Sequence, residues 1–549
     1  MPHMVKRNKK GNAYYYLQEN QRVNGKVKRV WQIYLGSEKS FKEHTAMITA
    51  PTFTVTNFNF GLPVALMQIV EKLDLISIID TFAPKRKQGL SVGQYVVLAA
   101  LNRCIKPVSK EQLRGWFETT YLQQFFPPVD TYLDAMAYTN HFEFLTEDNI
   151  FQMQQEIQRR LVNRFGVDMT SVVYDMTNFF TYINPDDDVD LPRHGHSKEN
   201  RATLNLVGLS LLCTLDGGVP LHYDVYPGNC PDAVQFKAEL PRIIDRAKLL
   251  GVVPEIITMT FDKGCISPDA FNVIDEAKLH FACSIRPSMT KDLVDLPGPT
   301  FPEFTLPNGK VVHVHEETRV FYEHPRRLLV VYNPDQAAWN AKNLIAKVTG
   351  DVDEIQSFFA DRINKRKWRS KDAVQTKVDS MIPKTHRAFI MTNVTGDAGQ
   401  VVVTVAVNQA AIDQHVQTLG KSFIITNHSS MHVADVVWLF RQQITIERAF
   451  SYLKSPDIVN VRPMFHRIDD SIRGHVFSCV LGLLLLTLLV RNVQKTKPDM
   501  SFFDITENLA SITASCISFS GTSKIVKKIA AMSPEAESLC HELHLDSSL

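Results

Sequence analysis

The sequence lacks the means for a disulfide framework. Its 549 residues hold eight cysteines, at positions 104, 213, 230, 265, 283, 479, 516 and 540, with no C-x-x-C pair among them. Most lie in apolar stretches, so they read as buried free thiols of a reducing compartment and not as disulfides or a zinc site. A membrane-spanning run is also missing. The longest apolar stretch, residues 476–490 between Arg473 and Arg491, falls short of the roughly 20 residues a bilayer requires. It reads as a buried core helix, and no membrane partner is expected. The basic N-terminus has no apolar segment of the kind a signal peptide needs. There is no internal repeat, no low-complexity tract and no large excess of either charge, the formal net charge being +2. Total charge therefore names no partner.

What is present is an ordinary globular composition, 44% apolar and 21% charged, enough to bury a large core. The charge is unevenly placed, with ten Lys or Arg against three Glu in residues 1–44. A local excess of that kind suits phosphate backbones, or a solvated basic terminus. Two β-rich runs flank Asn24-Gly25, a strong hairpin signal. Lys26 and Lys28 fall on one face of its second arm and Arg29 on the other, making residues 1–50 a basic β-hairpin module.

Residues 57–165 have helical periodicity. Ser91 precedes one helix, Pro107 breaks it, and Ser109 is placed to cap the next. The pair carries Arg103, Lys106, Lys110 and Arg114, and reads as a helix-turn-helix-like DNA element or as a plain helical hairpin. Strands follow at 171–183, 204–215 and 219–226, with a tight turn at Asp216-Gly217-Gly218. A helix from Asp232, a strand at 255–262, a helix capped by Ser267 with Pro268 at its first position, and a strand near 280–287 complete the series. This order is that of an RNase H-like core over residues 166–287. Residues 288–420 mix short strands with charged helices and read as an α+β insertion domain. Helical pattern returns over 421–495 as the second part of the core, and 496–549 read as a helical tail. The fold class expected is thus α/β multidomain.

Asp175, in VVYDMT, and Asp262, in ITMTFDKG, each end an apolar strand, where a carboxylate without a partner is costly. Hard divalent cations prefer carboxylate oxygens, and two-metal phosphoryl transfer needs two or three acids converging on one point. A third acid from a nearby helix is then expected. Glu447, in QQITIERAFSYLKS, fits, with Lys454 seven residues on along the same helical stripe.

The segments YDMTNFF, FDKG and IERAFSYLKS…VRPMFHRIDDSIRGHVF resemble the three acidic motifs of DDE transposases from bacterial insertion sequences, in the group with an insertion between the second Asp and the Glu. Here that gap is 185 residues. HGHSKENR at 194–201, VYPGNCPD at 225–232 and the hairpin ending in YLG are similar as well. The resemblance implies an RNase H-like core in which Asp175 bridges two Mg²⁺ ions (Mn²⁺ substituting) and Asp262 and Glu447 each complete one site. Many relatives carry Tyr-x-x-Arg-x-x-x-Glu-x-x-x-x-x-x-Lys; this chain keeps Glu447 and Lys454 but has Phe440 and Gln443 at the Tyr and Arg positions, one phosphate-pairing cation fewer.

The implied function is DNA transposition: cleavage at the terminal inverted repeats of the element, then strand transfer into target DNA. Expected DNA contacts are Lys454, Arg448, Arg462, His466, Arg473, His475, Lys198, Arg201, Lys26 and Lys28. Expected partners are double-stranded DNA ends and target, with a homodimer in the synaptic complex, in the cytoplasm and associated with the nucleoid. Three rivals stand beside this: a DNA-binding relative that no longer cuts, an RNase H-like nuclease without strand transfer, and an unrelated two-carboxylate hydrolase whose activity would survive EDTA.

Overall fold

The computed structural model describes residues 2–549 except 24, 50–51, 86–88, 128–132, 184–188, 200–202 and 521–524, and except the side chains of 44–49. Asn24 of the expected hairpin and Arg201 of the HGHSKENR segment thus lie outside the described residues. The chain divides into two compact units, one made of residues 1–160 with 452–549 and the other of residues 161–451.

In the first unit, Asn12–Val23 and Lys26–Ser37 pair antiparallel as the hairpin signal predicts, and Pro2–Lys9 adds a third strand. Ser91 caps the helix Val92–Ile105 with a full capping box. Ser109 makes no capping bond; a single 3-10 turn, Lys110–Gln112, follows it before the short helix Leu113–Glu118. The apolar run lies within a 26-residue helix, Asp469–Gln494. By length and composition this helix could cross a membrane, yet 94% of its most apolar window is buried inside the protein. It packs on Val92–Ile105, Gly61–Leu73 and Ala135–Phe142. Residues 421–495, expected to form one second part of the core, are divided between the two units, the chain from Tyr452 onward grouping with the first. The tail is also not wholly helical. Thr513–Phe519 and Ile525–Ile529 form strands, the former pairing with Phe53–Asn59, a contact so distant in sequence that local periodicity does not reveal it.

The second unit is built on a ten-stranded sheet. In chain order its strands are β1 (Ser171–Thr181), β2 (Arg193–His194), β3 (Asn205–Thr214), β4 (Pro220–Pro227), β5 (Thr258–Phe261), β6 (His280–Ser284), β7 (Glu303–Thr305), β8 (Val311–Phe321), β9 (His324–Tyr332) and β10 (Lys421–Thr426). β4 pairs antiparallel with β3 and β3 with β1, whereas β1, β5 and β6 run parallel. The Gly217 and Gly218 turn between β3 and β4 has φ of +77° and +63°, where glycine carries no steric penalty. β3 and β5 are wholly buried and β1 is buried over most of its length, as strands covered on both faces must be. Helices Asp232–Leu249 and Pro268–Glu276 pack on each other. Beneath them Phe236, Phe261, Phe271 and Phe281 form a chain of ring contacts with centroids 4.9–6.3 Å apart. Helix Val433–Arg441 packs an apolar face against Ala282, Leu329, Val331 and Ile424.

The expected insertion over 288–420 is narrower than its sequence pattern. β7, β8 and β9 extend the main sheet through β10. What stands apart is a module of helices Pro334–Ala360, Lys371–Met381 and Gln409–Val416 with the hairpin Ile390–Thr395/Val402–Val407. It has its own core around Val348, Ile355, Val374, Val378 and Ile412. Trp368, in the basic stretch at 363–371, is packed edge-on against Phe358 and Phe359.

Candidate active site

Asp175 lies within β1, and Asp262 directly follows β5. The two strands are parallel neighbours with Val173 opposite Thr260. Two residues further on, the same register brings Asp175 and Asp262 side by side on one face, since strand side chains alternate with period two. Asp262 is fixed from the third parallel strand: Ser284 Oγ, at the end of β6, donates to Asp262 Oδ1 at 2.5 Å and accepts from the Lys263 amide at 3.0 Å.

Asp175 is mostly withdrawn from water. Burial raises its carboxyl, the Met176 amide (2.7 Å) and the Lys198 ammonium oppose the shift, and the charges of Asp262 and Asp232 add to it, leaving the pKa at about 6. Asp232 was not anticipated. It opens helix Asp232–Leu249, and its Oδ2 accepts from Lys198 Nζ at 3.4 Å, while Nζ also donates to the Met176 carbonyl at 2.6 Å.

The loop carrying Lys198 is tied to β1, where Asn178 donates to the His196 carbonyl (2.9 Å) and accepts from the Lys198 amide (3.2 Å). It also packs against the Pro227-Gly228-Asn229 turn. A Cβ at Gly195 would lie 2.5 Å from the Gly228 carbonyl oxygen, and one at Gly228 would lie 2.0 Å from that of Leu206. Thus the HGHSKENR and VYPGNCPD segments meet here. An acid directly after a Gly-Asn-Cys-Pro turn was the signal that could have found Asp232.

Behind the site, Tyr174 points to the opposite face and donates to the buried Glu239 (3.0 Å), which also accepts from Ser210 Oγ and Gln235 Nε2, each at 2.6 Å. Burial, then the Asp224 charge, raise the Glu239 carboxyl, so this network is neutral packing under the sheet. His222 Nε2 is 3.9 Å from Glu239; burial and two neighbouring arginines hold its ring neutral, and the contact is not an ion pair.

Glu447 is exposed on helix Ile444–Lys454. Among the described residues no three His, Cys, Asp or Glu side chains converge closely enough to hold an ion. Asp175 and Asp262 come together, and Glu447 does not join them. The pair nevertheless fits a hard divalent cation in donor chemistry, since it offers carboxylate oxygens with a charge that burial and mutual repulsion leave under-compensated.

The other expected cations separate. Lys26, Lys28, Lys198 and Arg448 are exposed. Arg462 turns back to the Lys454 carbonyl at 3.2 Å, a helix-end contact. Arg473 pairs with Glu147 at 2.9 Å. His466 lies 2.7 Å from Lys110 Nζ, and its pKa is lowered to about 3 by burial and by Lys110 and Arg103. His475 is 2% exposed, donates to the Val461 carbonyl at 2.7 Å, and is held neutral by burial. In these positions His466 and His475 are packing residues of the first unit and offer no cation to a phosphate. Lys110 and Arg103, candidates for the helix-turn-helix-like element, turn inward as well; Arg103 donates to the Asn460 carbonyl at 3.2 Å.

No family model and no curated protein matches this chain. Among solved structures, the piggyBac transposase in its synaptic complex with hairpin DNA matches at 8% identity and a TM-score of 0.37, covering 81% of this chain and 79% of that one.

Proposed function

We propose that the chain is a DNA transposase of the DDE type, with an RNase H-like catalytic core in residues 161–451 and Asp175, Asp262 and Glu447 as its acidic residues. The observation that carries this reading is the juxtaposition of Asp175, within β1, and Asp262, directly after its parallel neighbour β5. The strand arrangement β4-β3-β1-β5-β6, with the first two pairings antiparallel and the last two parallel, supports it, because this is the order an RNase H-like core requires.

In this reading Asp175 and Asp262 would hold Mg²⁺ through their carboxylate oxygens, with Glu447 as the third acid. Ions there would supply Lewis-acid stabilisation of the phosphoryl oxygens and of the attacking and leaving oxygens. Ser284 keeps Asp262 oriented, and the sheet excludes water from the inner side of Asp175. Water attacks the phosphodiester at the element's end, so that a new P–O bond forms, the P–O3′ bond breaks, and a 3′-OH is released beside a 5′-phosphate. That 3′-OH then displaces a target 3′ oxygen in the same way, with no covalent protein–DNA bond. Positioning and charge neutralisation suffice for such chemistry. Synapsis of two ends calls for at least two copies of the chain.

The test is cleavage of a labelled duplex bearing the inverted repeat that bounds the gene, in Mg²⁺, by wild type, Asp262→Asn and Glu447→Gln. Cutting at the repeat boundary by wild type alone supports the proposal. Specific binding without cleavage by any of the three, in Mg²⁺ or Mn²⁺, favours a DNA-binding relative that does not cut.

A further inference from the structure

The Lys198 side chain bridges β1 and the helix that begins at Asp232. Its ammonium is held from two sides, by the Met176 carbonyl at 2.6 Å and Asp232 Oδ2 at 3.4 Å, one residue along β1 from Asp175. Its backbone is held by Asn178. The loop that carries it fits against the turn before Asp232 because residue 195 is glycine, and that turn fits against β3 because residue 228 is glycine. From the other side, a Cβ at Gly264 would stand 3.3 Å from Asp232 Oδ2, so the turn after Asp262 also closes on Asp232. The ammonium is therefore held by β1 and by Asp232, close enough to Asp175 for its charge to act on that carboxyl, while Asp232 itself is approached by the turn after Asp262.

We propose that Lys198, anchored by Asp232, is a resident counter-charge for the Asp175–Asp262 pair, which steadies the pair in the cation-free protein and competes with a divalent cation for it. This rests on the metal-dependent reading above and adds regulation of cation loading to it. Lys198 is a positioning residue here: its charge acts through the carboxylates. The geometry suits such a role because the side chain is exposed, so the ammonium can leave its two acceptors for water, whereas Asp175 is half-buried within a strand paired on both sides and cannot follow it.

The test is Mn²⁺ binding to the full-length protein without DNA, followed by the paramagnetic signal of free Mn²⁺, for wild type, Lys198→Met and Lys198→Arg. Lys198→Met keeps the length of the side chain and removes its charge. It is expected to tighten Mn²⁺ binding about tenfold, the scale of one unit charge acting across a few ångströms of protein. It should also lower the melting temperature in EDTA, with Mn²⁺ restoring it by a larger increment than in wild type. Lys198→Arg keeps the charge and should bind Mn²⁺ within about twofold of wild type. Unchanged affinity in a folded Lys198→Met protein, or a change matched by Lys198→Arg, overturns the counter-charge role alone. Absence of Mn²⁺ binding by the wild type overturns the metal-dependent reading itself, and this inference with it.

Discussion

Ser284 Oγ stands 2.5 Å from Asp262 Oδ1 and accepts from the next residue's amide, so the acid at the end of β5 is oriented by the strand beside it. Replacing Ser284 with Ala leaves Asp262 in place but without its donor. Loss of one such hydrogen bond costs about 1 kcal/mol, and the melting temperature should change little. Cleavage, which depends on where the carboxylate points, should fall about tenfold or more. Equal activity of Ser284→Ala and wild type in the duplex cleavage assay would remove Ser284 from the account.

The pH behaviour of Asp175 has a definite sign. Its pKa in the folded protein, about 6, stands above the ordinary value of 3.8. The group therefore favours the fold most below pH 4, and that contribution is lost as pH rises through 6. Without divalent cation, Asp175→Asn should be more stable than wild type at pH 7.5, by on the order of 2 kcal/mol, and equal to it near pH 4. A bound cation competes with the proton, so cation affinity should climb between pH 5 and about 7 in wild type. Urea unfolding of both proteins across this range, with and without Mn²⁺, gives the answer; an identical pH dependence for wild type and Asp175→Asn would contradict it.

The fold was legible where periodicity and caps act locally. Ser91, Ser267 with Pro268, the glycine turn at 217–218 and the strands around Asp175 and Asp262 all follow from short-range patterns. The pairing of strands 53–59 and 513–519, the extension of the sheet by β7–β9, and the first unit's claim on the helix at 469–494 are long-range outcomes, and nothing within those segments announces them. Asp175 and Asp262 were legible as acids on apolar strands, and the structure sets them on neighbouring parallel strands, although β1 continues past Asp175 to Thr181 where the sequence pattern placed its end. Ser284 and Asp232 were missed because a serine at a strand end and an aspartate after a proline have common structural explanations. His475 misled for the converse reason, since a histidine in a basic stretch shows its charge in the sequence but not its burial. Residue type and spacing also pointed to Glu447 as the third acid; the structure leaves it exposed and outside the pair.

The Gly195–Gly228 contact gives a prediction independent of catalysis. A methyl group at Gly228 would collide with the backbone of β3 at 2.0 Å, and neither partner is a flexible side chain. Gly228→Ala should destabilise the second unit by about 1–3 kcal/mol and displace Lys198 and Asp232 with it. Gly251, at φ +78° with nothing near its Cβ position, is a control in which Ala strains the backbone but not the site. Chemical denaturation that ranks the two equally, with equal activity, would show that the close approach has no role.

The neutral network behind the site should respond to charge and not to size. Glu239→Gln keeps most hydrogen bonds of a buried, protonated carboxyl and should be tolerated to within about 1 kcal/mol, whereas Glu239→Ala strands Tyr174, Ser210 and Gln235 and should cost about 3 kcal/mol or more. Thermal unfolding separates the two, and equal losses would argue that Glu239 is ionised in the folded protein.

The most direct test of the central claim is strand transfer. A duplex ending in a pre-cut inverted repeat with a free 3′-OH is mixed with target plasmid and Mg²⁺, and joined product is counted for wild type and Asp175→Asn. The account predicts joining by the wild type, its abolition by EDTA, and its loss by at least about a thousandfold in Asp175→Asn. Joining that persists in EDTA, or that Asp175→Asn performs as well as wild type, would contradict it.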